Sequence, residues 1–325
     1  MICRRIRTLA LAIALSAVPG LSQSYAYPDR PVRIIVPYAP GGGNDTLARE
    51  LGRKLEEIWG QPVVIENRAG ANTIIATEHV SRLEPDGYNI LMVTTIFSVN
   101  PSLVGKLPYD TLSDFAPVVV AGIAPGVLVA RPALPVNSVK ELIAYGRANP
   151  GKLTYGTPEI GTAPFLAAEL LRSDGHFDAV NVSYRGTRQQ MLALLSGEID
   201  YAFDVVTSLE YVKSGKLKGL AVTVSRRLDK FPEIPTMIES GLPGYDVATW
   251  YGFVVRSRTP PDIINAINQA FNKAIDDPRV RAHMDDLGIK LLGGTPDQFG
   301  QRIRSEIERW GSVLNMAGIK LDDRR

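Results

Sequence analysis

Twice along this chain an apolar strand runs into a glycine-bearing loop that opens directly into a helix, and this repeated grammar restricts the fold to the α/β class. The first instance is Val32-Arg33-Ile34-Ile35-Val36 followed by Pro37-Tyr38-Ala39-Pro40-Gly41-Gly42-Gly43-Asn44-Asp45. The second is Leu153-Thr154-Tyr155-Gly156 followed by Thr157-Pro158-Glu159-Ile160-Gly161-Thr162-Ala163. Strands alternating with helices across short loops imply a parallel sheet with helices on its faces.

The alternation continues around each instance. In the first segment, Asn44 or Asp45 can N-cap a helix that carries Leu47, Leu51, Leu55 and Ile58 on one face and stops at Gly60. A strand over Val63 to Glu66, a helix over Ile74 to Leu83, the turn Pro85-Asp86-Gly87 and a strand over Tyr88 to Thr95 follow. Pro117 to Arg131 reads as extended chain, and Ser138 can cap a helix through Arg147. In the second segment a helix spans Thr162 to Leu171, a strand Val180 to Tyr184, a helix Arg188 to Leu195, and a turn plus strand Gly197 to Phe203. Thr249 to Val255 is a further strand, and helices follow from Pro260-Pro261 to about Ile275 and from Asp297 to Met316.

These last helices lack a sheet of their own, so the economical topology returns them to the first lobe. That places residues 27–124 and 249–325 in one lobe and 125–248 in the other, with hinge crossings near Ala121–Gly126 and Ala248–Gly252. Two lobes joined this way close on a ligand by hinge motion.

The N-terminus reads as an export signal. Arg4, Arg5 and Arg7 precede an apolar run from Leu9 to Val18, and Ser24-Tyr25-Ala26 offers small residues at a cleavage site. The run is shorter than the roughly 20 residues a membrane span needs. Cleavage after Ala26 would leave Tyr27 as the first residue. The whole chain carries 36 basic and 34 acidic residues, net +2; residues 1–26 hold three of the basic ones, so the remainder stands at 33 against 34. The basic excess therefore belongs to the signal, and no nucleic-acid footprint remains. The only cysteine, Cys3, lies in the signal ahead of the apolar run, which excludes it as a lipidation site. An unanchored exported receptor is retained by an outer membrane, so a periplasmic location is expected.

Glycines let the backbone approach a ligand, and the free N–H groups of a helix start favour an anion. Tyr38, Gly41, Gly42, Gly43, Asn44 and Asp45 are thus candidate ligand residues in one lobe, and Gly156, Thr157, Gly161, Thr162 and Ala163 in the other. Each loop alone is equally readable as a tight turn; a pair facing across a cleft suits a ligand with acceptors at both ends. Thr94, Thr95 and Asn100 lie near the end of a strand, where open α/β sheets bind ligands. Tyr184, Arg185 and Gly186 end another strand, and Arg185 reads either as a carboxylate partner or as a surface charge. Asp204 reads either as an acceptor for a ligand amine or hydroxyl, as a support for Arg185, or as a helix cap. Enzyme signatures are missing: His79, His176 and His283 are scattered, no H-E-x-x-H or G-x-S-x-G is present, and no cysteine follows Cys3. No cofactor or metal is expected.

The chain resembles the Bug-type periplasmic receptors, the solute-binding component of tripartite tricarboxylate transporters. The resemblance rests on Tyr27-Pro28-Asp29-Arg30-Pro31-Val32-Arg33, the Pro40-Gly41-Gly42-x-x-Asp45-x-x-Ala48-Arg49 loop, Val64-Ile65-Glu66-Asn67-Arg68-Ala69-Gly70 and Pro85-Asp86-Gly87-Tyr88. It continues through Gly161-Thr162, Ser183-Tyr184-Arg185-Gly186, Leu195 to Asp200, Phe203-Asp204, Trp250-Tyr251-Gly252 and the Thr295-to-Trp310 segment. It implies a type II periplasmic-binding fold, no enzymatic activity, and a carboxylate held mainly by backbone N–H groups and water at the two loops. Tyr184 to Gly186 and Asp204 would line the cleft. The chain departs from the family pattern in carrying Phe165 where a histidine is common, which points toward a partly apolar or aromatic acid, and Arg185 where lysine is frequent. The implied role is capture of a small carboxylate, a dicarboxylate, aromatic acid or amino-acid-like molecule, by a monomer that delivers it to integral membrane transporter subunits. The alternative role is presentation of that ligand to a sensor-kinase ectodomain.

Overall fold

The computed structural model describes residues 27–184, 186–205 and 208–320. The export signal read at residues 1–26 lies outside them, as does Arg185.

The first segment folds as β1 (Val32–Val36), α1 (Gly43–Trp59), β2 (Val63–Asn67), α2 (Ile74–Ser81), β3 (Asn89–Thr94) and α3 (Thr95–Leu103). The long strand β4 (Phe115–Ala130) follows. The second segment comprises α4 (Val139–Ala148), β5 (Leu153–Thr157), α5 (Ala163–Gly175), β6 (Ala179–Ser183), α6 (Thr187–Ser196), β7 (Tyr201–Val205), α7 (Leu209–Lys213) and β8 (Lys218–Val222). The chain then returns through β9 (Ala248–Arg256), α8 (Pro261–Ile275), α9 (Pro278–Asp286), β10 (Lys290–Leu291) and α10 (Pro296–Ala317).

Strand order is β2-β1-β3-β9-β4-β7-β5-β6, with β8 and β10 also pairing β4. Each lobe has the same parallel kernel: β1 lies between β2 and β3, and β5 between β6 and β7. Strand β4 belongs to both. Its residues Phe115 to Pro125 pair antiparallel with β9, and Gly126 to Ala130 pair with β7 and β8. The two crossing segments are therefore hydrogen-bonded neighbours, with Ala124 opposite Thr249 and Pro125 opposite Ala248. The result is a mixed α/β, two-lobed fold with both connections side by side.

Local sequence accounts for most elements. On α1 the residues Leu47, Ala48, Leu51 and Leu55 form one buried stripe, each leucine contributing about 2 kcal/mol by leaving water. The helix ends where Gly60 adopts φ 65° and returns its N–H to the Glu56 carbonyl. Two local expectations differ from the structure. The α1 N-cap is Gly42, and Asp45 sits within the first turn. Thr95 and Asn100 lie on α3, which starts as soon as β3 ends and contains Pro101.

Helix α10 does more than return to the first lobe. Phe299 and Ile303 pack with Phe97, Trp250 and Val254. Two to three turns after Ile303, Trp310, Val313 and Leu314 join Phe165, Leu166 and Tyr245 of the second lobe, together with Val99 and Leu103 of α3. The two lobes thus share an apolar seam along α3, α5 and α10. Among the described residues no helix is long and apolar enough to cross a membrane.

Candidate functional site

The C-terminal ends of β1, β5 and β6 each feed a helix whose N-cap residue makes no side-chain capping bond: Gly42 for α1, Thr162 for α5 and Gly186 for α6. Helix starts leave N–H groups without intrahelical acceptors and carry a positive dipole end. Helices α2, α3, α7 and α8 also lack a side-chain cap, whereas α4, α9 and α10 are capped by Ser138, Asp277 and Thr295.

The first-lobe loop is fastened from beneath. Asn67, which ends β2 beside Val36, donates through Nδ2 to the Tyr38 carbonyl (3.0 Å) and to Asp45 Oδ1 (2.9 Å). Asp45 Oδ2 accepts from the Gly41 N–H (2.9 Å) and from Arg49 Nε (2.9 Å). The Arg49 hydrogen bond, aided by those of Gly41 and Asn67, holds the Asp45 carboxyl down at about 2. Asp45 therefore shapes the loop with both oxygens engaged, while Gly41, Gly42 and Gly43 stay exposed and Gly41 takes φ 87°. Tyr38 OH lies 2.6 Å from Thr94 Oγ1. Burial pushes this phenol up to about 12, and Glu159 of the opposite loop adds to the effect. Asn44 Oδ1 is buried without a partner.

Thr95 and Asn100 serve the frame. Thr95 Oγ1 accepts from the Trp250 N–H (3.1 Å), and its hydroxyl donates to the Ala248 carbonyl (3.4 Å), tying α3 to the hinge strand β9. Asn100 donates to the Asn72 carbonyl (2.9 Å), and Asn72 in turn donates across the cleft to the Ile160 carbonyl (3.4 Å). Ala71, Asn72 and Thr73 all have positive φ (46°, 51° and 69°), a run that non-glycine residues adopt only when their surroundings impose it.

In the second lobe Gly156 leaves room for Gln190, Ile199 and Tyr184, each of which a Cβ would crowd. The Thr157 hydroxyl is paired with the side-chain amide of Asn181. Gly161, at φ 86°, lies against α3, where an added methyl would come within 2.7 Å of Leu103 Cδ2. Thr162 donates to the Glu159 carbonyl (2.7 Å), and Ala163 lines a small void at the hinge. Phe165 belongs to the apolar seam, not to that lining. Tyr184 packs over Gly156 and directs its hydroxyl to Glu198 (2.9 Å). Gly186, at φ 98°, donates its N–H to the Pro158 carbonyl (3.3 Å), which sets the α6 start beside the α5 loop.

Asp204 stands apart from these engaged groups. It is 5% exposed, and its Oδ1 has no hydrogen-bond partner among the described residues. Burial raises its carboxyl to about 7, moderated only by the Val205 N–H. It lines the hinge void of about 10 Å³, which holds at most a single water, and also a cavity of about 600 Å³ between α6 and α7. A separate depression of about 390 Å³ involves Arg147, Arg172 and His176 at the far ends of α4 and α5. Arg172 there is committed to Glu169. Among the described residues no group of three or more His, Cys, Asp or Glu side chains could hold a metal ion.

The supporting asparagines Asn67, Asn72 and Asn181 were absent from the sequence-derived candidates. Asn67 had a readable signal, because parallel pairing of the first two strands sets their ends side by side. Asn181 meets Thr157 across the parallel β5–β6 pair and shared that kind of signal, whereas Asn72 acts through a contact with a distant loop and had none.

The chain is similar to known proteins along most of its length. Residues 47–319 match the tripartite tricarboxylate transporter family receptor. Protein BugT of Bordetella pertussis is 34% identical over 324 residues, covering 98% of each chain. A Rhodopseudomonas palustris protein solved with adipate superposes with a TM-score of 0.80 at 31% identity, covering 90% of this chain and 99% of that one. MatC of Rhodopseudomonas palustris, solved with bound malate, gives 0.77 at 31% identity, covering 89% and 100%. With its two-lobed frame and its similarity along nearly its whole length, the chain belongs to the tripartite tricarboxylate transporter receptor family.

Proposed function

We propose that this protein captures a small dicarboxylate between its lobes in the periplasm and delivers it to the membrane subunits of a tripartite tricarboxylate-type transporter. The observation that carries the reading is a helix start without a side-chain cap at the glycine-bearing loop of each lobe, Gly42 in one and Thr162 in the other, with Tyr38 of the first loop feeling the charge of Glu159 in the second. Backbone N–H groups at such sites complement a carboxylate without a dedicated cation. A ligand with a carboxylate at each end satisfies both sides and holds them together. The adipate and malate found in two relatives have that form. In this reading Tyr38, Thr94 and Asp45 position the first loop, Thr157 and Gly161 the second, and Arg185 adds a cation beside the α6 start.

A thermal-shift screen over mono-, di-, tri- and aromatic carboxylic acids tests the capture step. A dicarboxylate should raise the melting temperature in a concentration-dependent way, because a ligand that binds only the folded state stabilises it by mass action. No shift with any acid would remove the reading. Replacing Arg185 with Ala should weaken the best acid about tenfold or more if the guanidinium pairs with it. An unchanged dissociation constant would make Arg185 a surface charge. Delivery is tested by gene deletion, which should abolish uptake of that acid. Intact uptake with lost gene induction would instead favour presentation to a sensor kinase.

A further inference from the structure

The cleft holds one carboxyl group that its own structure leaves unsatisfied. Of the other polar candidates on the two loops, Asp45 has three donors, Thr157 has Asn181 and Tyr38 has Thr94, while the neutral Asn44 amide oxygen is buried without a partner among the described residues. Among the described residues Asp204 Oδ1, at the end of β7, is buried without a partner, and Asp204 lines cavities on two sides. A buried polar atom without a partner costs free energy, so an arrangement that keeps one open implies that something else completes it.

The groups around Asp204 limit what that is. From α5 it faces Ala163, Pro164 and Ala167, and from β4 and the hinge it faces Gly126, Thr223 and Val247. From α6 and α7 the described lining adds Arg188 as a charged group, Tyr211 as a titratable one, and otherwise Thr187, Ser208 and apolar side chains. Arg188 is exposed to solvent, which screens its charge. An ionised carboxylate here would repel an incoming dicarboxylate in a low-dielectric site. Two carboxyl groups brought together in such a place share one proton.

Resting on the proposed capture of a dicarboxylate, we propose that Asp204 is a specificity-determining residue that keeps its proton in the bound state and donates an O–H···O hydrogen bond to a carboxylate oxygen of the ligand. The sequence suggested the opposite polarity, an acceptor for a ligand amine or hydroxyl. A protonated Asp204 favours a second carboxylate over an ammonium at this position and makes capture proton-linked. With the carboxyl titrating at about 7, the receptor is ready to donate in mildly acidic surroundings and loses that ability as the medium becomes alkaline.

The test uses the whole protein with adipate as the probe and malate in parallel. Calorimetric affinity should fall between about tenfold and about a hundredfold from about pH 6 to about pH 9, because binding then requires uptake of one proton. Asp204→Asn, which keeps the shape and supplies an N–H donor, should bind with little pH dependence. Infrared difference spectra of the ligand-free wild type against this variant should show a protonated carboxyl band that the variant lacks. This readout needs no ligand. A pH-independent wild-type affinity, or the lack of that band at mildly acidic pH, would overturn the proposal. So would a stronger affinity for aspartate at high pH with proton release, since Asp204 would then be pairing with an ammonium as a carboxylate. If neither probe binds while the infrared band is present, it is the capture reading that fails, and Asp204 is left as a protonated structural group.

Discussion

Two aspartates at the ends of loops in this cleft are driven to opposite charge states by their surroundings. Asp45 accepts from Gly41, Arg49 and Asn67 and titrates at about 2, whereas Asp204 has little but the Val205 N–H and titrates at about 7. Their stability linkages have opposite signs. The folded-state value of Asp45 is depressed, so its contribution is present above 3.8 and is lost as pH falls toward 2. Asp45→Asn should therefore lower stability by about 1–3 kcal/mol at neutral pH, in line with lost hydrogen bonds to a charged group. The deficit should shrink in acid, and a deficit independent of pH would show that the charge is irrelevant. The folded-state value of Asp204 is raised, so ionising it penalises the native state; the penalty is absent below 3.8 and complete above about 7. Asp204→Asn should then unfold at higher urea than wild type at neutral pH, by at most roughly 4 kcal/mol, and converge with it near pH 4. Equal stability at all pH values would show that Asp204 ionises freely. The sequence located both residues near the cleft, because Asp45 follows the glycine loop after β1 and Asp204 lies at the C-terminal end of β7. It could not reveal their opposite environments, since Asn67 and the apolar lining around β7 come from distant parts of the chain. Phe165 illustrates the same limit: Ala163 and Ala167 share a helix face toward the hinge, and a residue two positions on from Ala163 points about 200° away, into the core.

At the scale of elements, the parallel kernels of both lobes were readable because buried strands and amphipathic helices carry distinct periodicities. Helix α3 was not. Its Thr95-Ile96 start continues the β-branched composition of β3, and Pro101 argues against a helix. Burial of Ile96, Phe97, Val99 and Leu103 on several sides overrides both signals, since α3 is wedged between the first-lobe core and the second lobe. Helices α7 and α9 and strands β8 and β10 also went unread. In the case of α9 the cue was present: Asp277 caps it and Pro278 opens it. The contact of α3 with the second lobe explains Gly161 better than ligand approach alone. Alanine there is strained by φ 86° and by the 2.7 Å approach to Leu103, so Gly161→Ala should destabilise by about 1–3 kcal/mol. Trimming Leu103 to Ala relieves only the second part. In a double-mutant cycle the pair should therefore cost less than the sum of the singles. Strict additivity would mean that the loop and α3 do not touch in solution.

The whole molecule is a two-lobed receptor whose lobes are less independent than a clam with a narrow hinge. Strand β4 runs through both sheets, β9 lies beside it across the crossing, and α10 buries Phe299 with the first-lobe core and Trp310 with the second. Opening the cleft must preserve these shared elements, so motion is confined to bending near Ala124–Thr249 and sliding along the seam of α3, α5 and α10. Shared elements also couple unfolding, because a lobe that melts strips partners from β4 and α10. The ligand-free protein should consequently unfold in one transition, with tryptophan fluorescence and far-ultraviolet circular dichroism giving the same denaturant midpoint. Trp310 is 1% exposed, and replacing it with Ala should cost about 3–5 kcal/mol by removing a large buried side chain. If α10 joins the lobes, that loss should shift both probes together, although Trp310 itself packs in the second lobe's cluster. Separate midpoints in the variant, with one left at its wild-type value, would show that the first lobe folds without help from the second. The shared seam would then be a contact between independent domains.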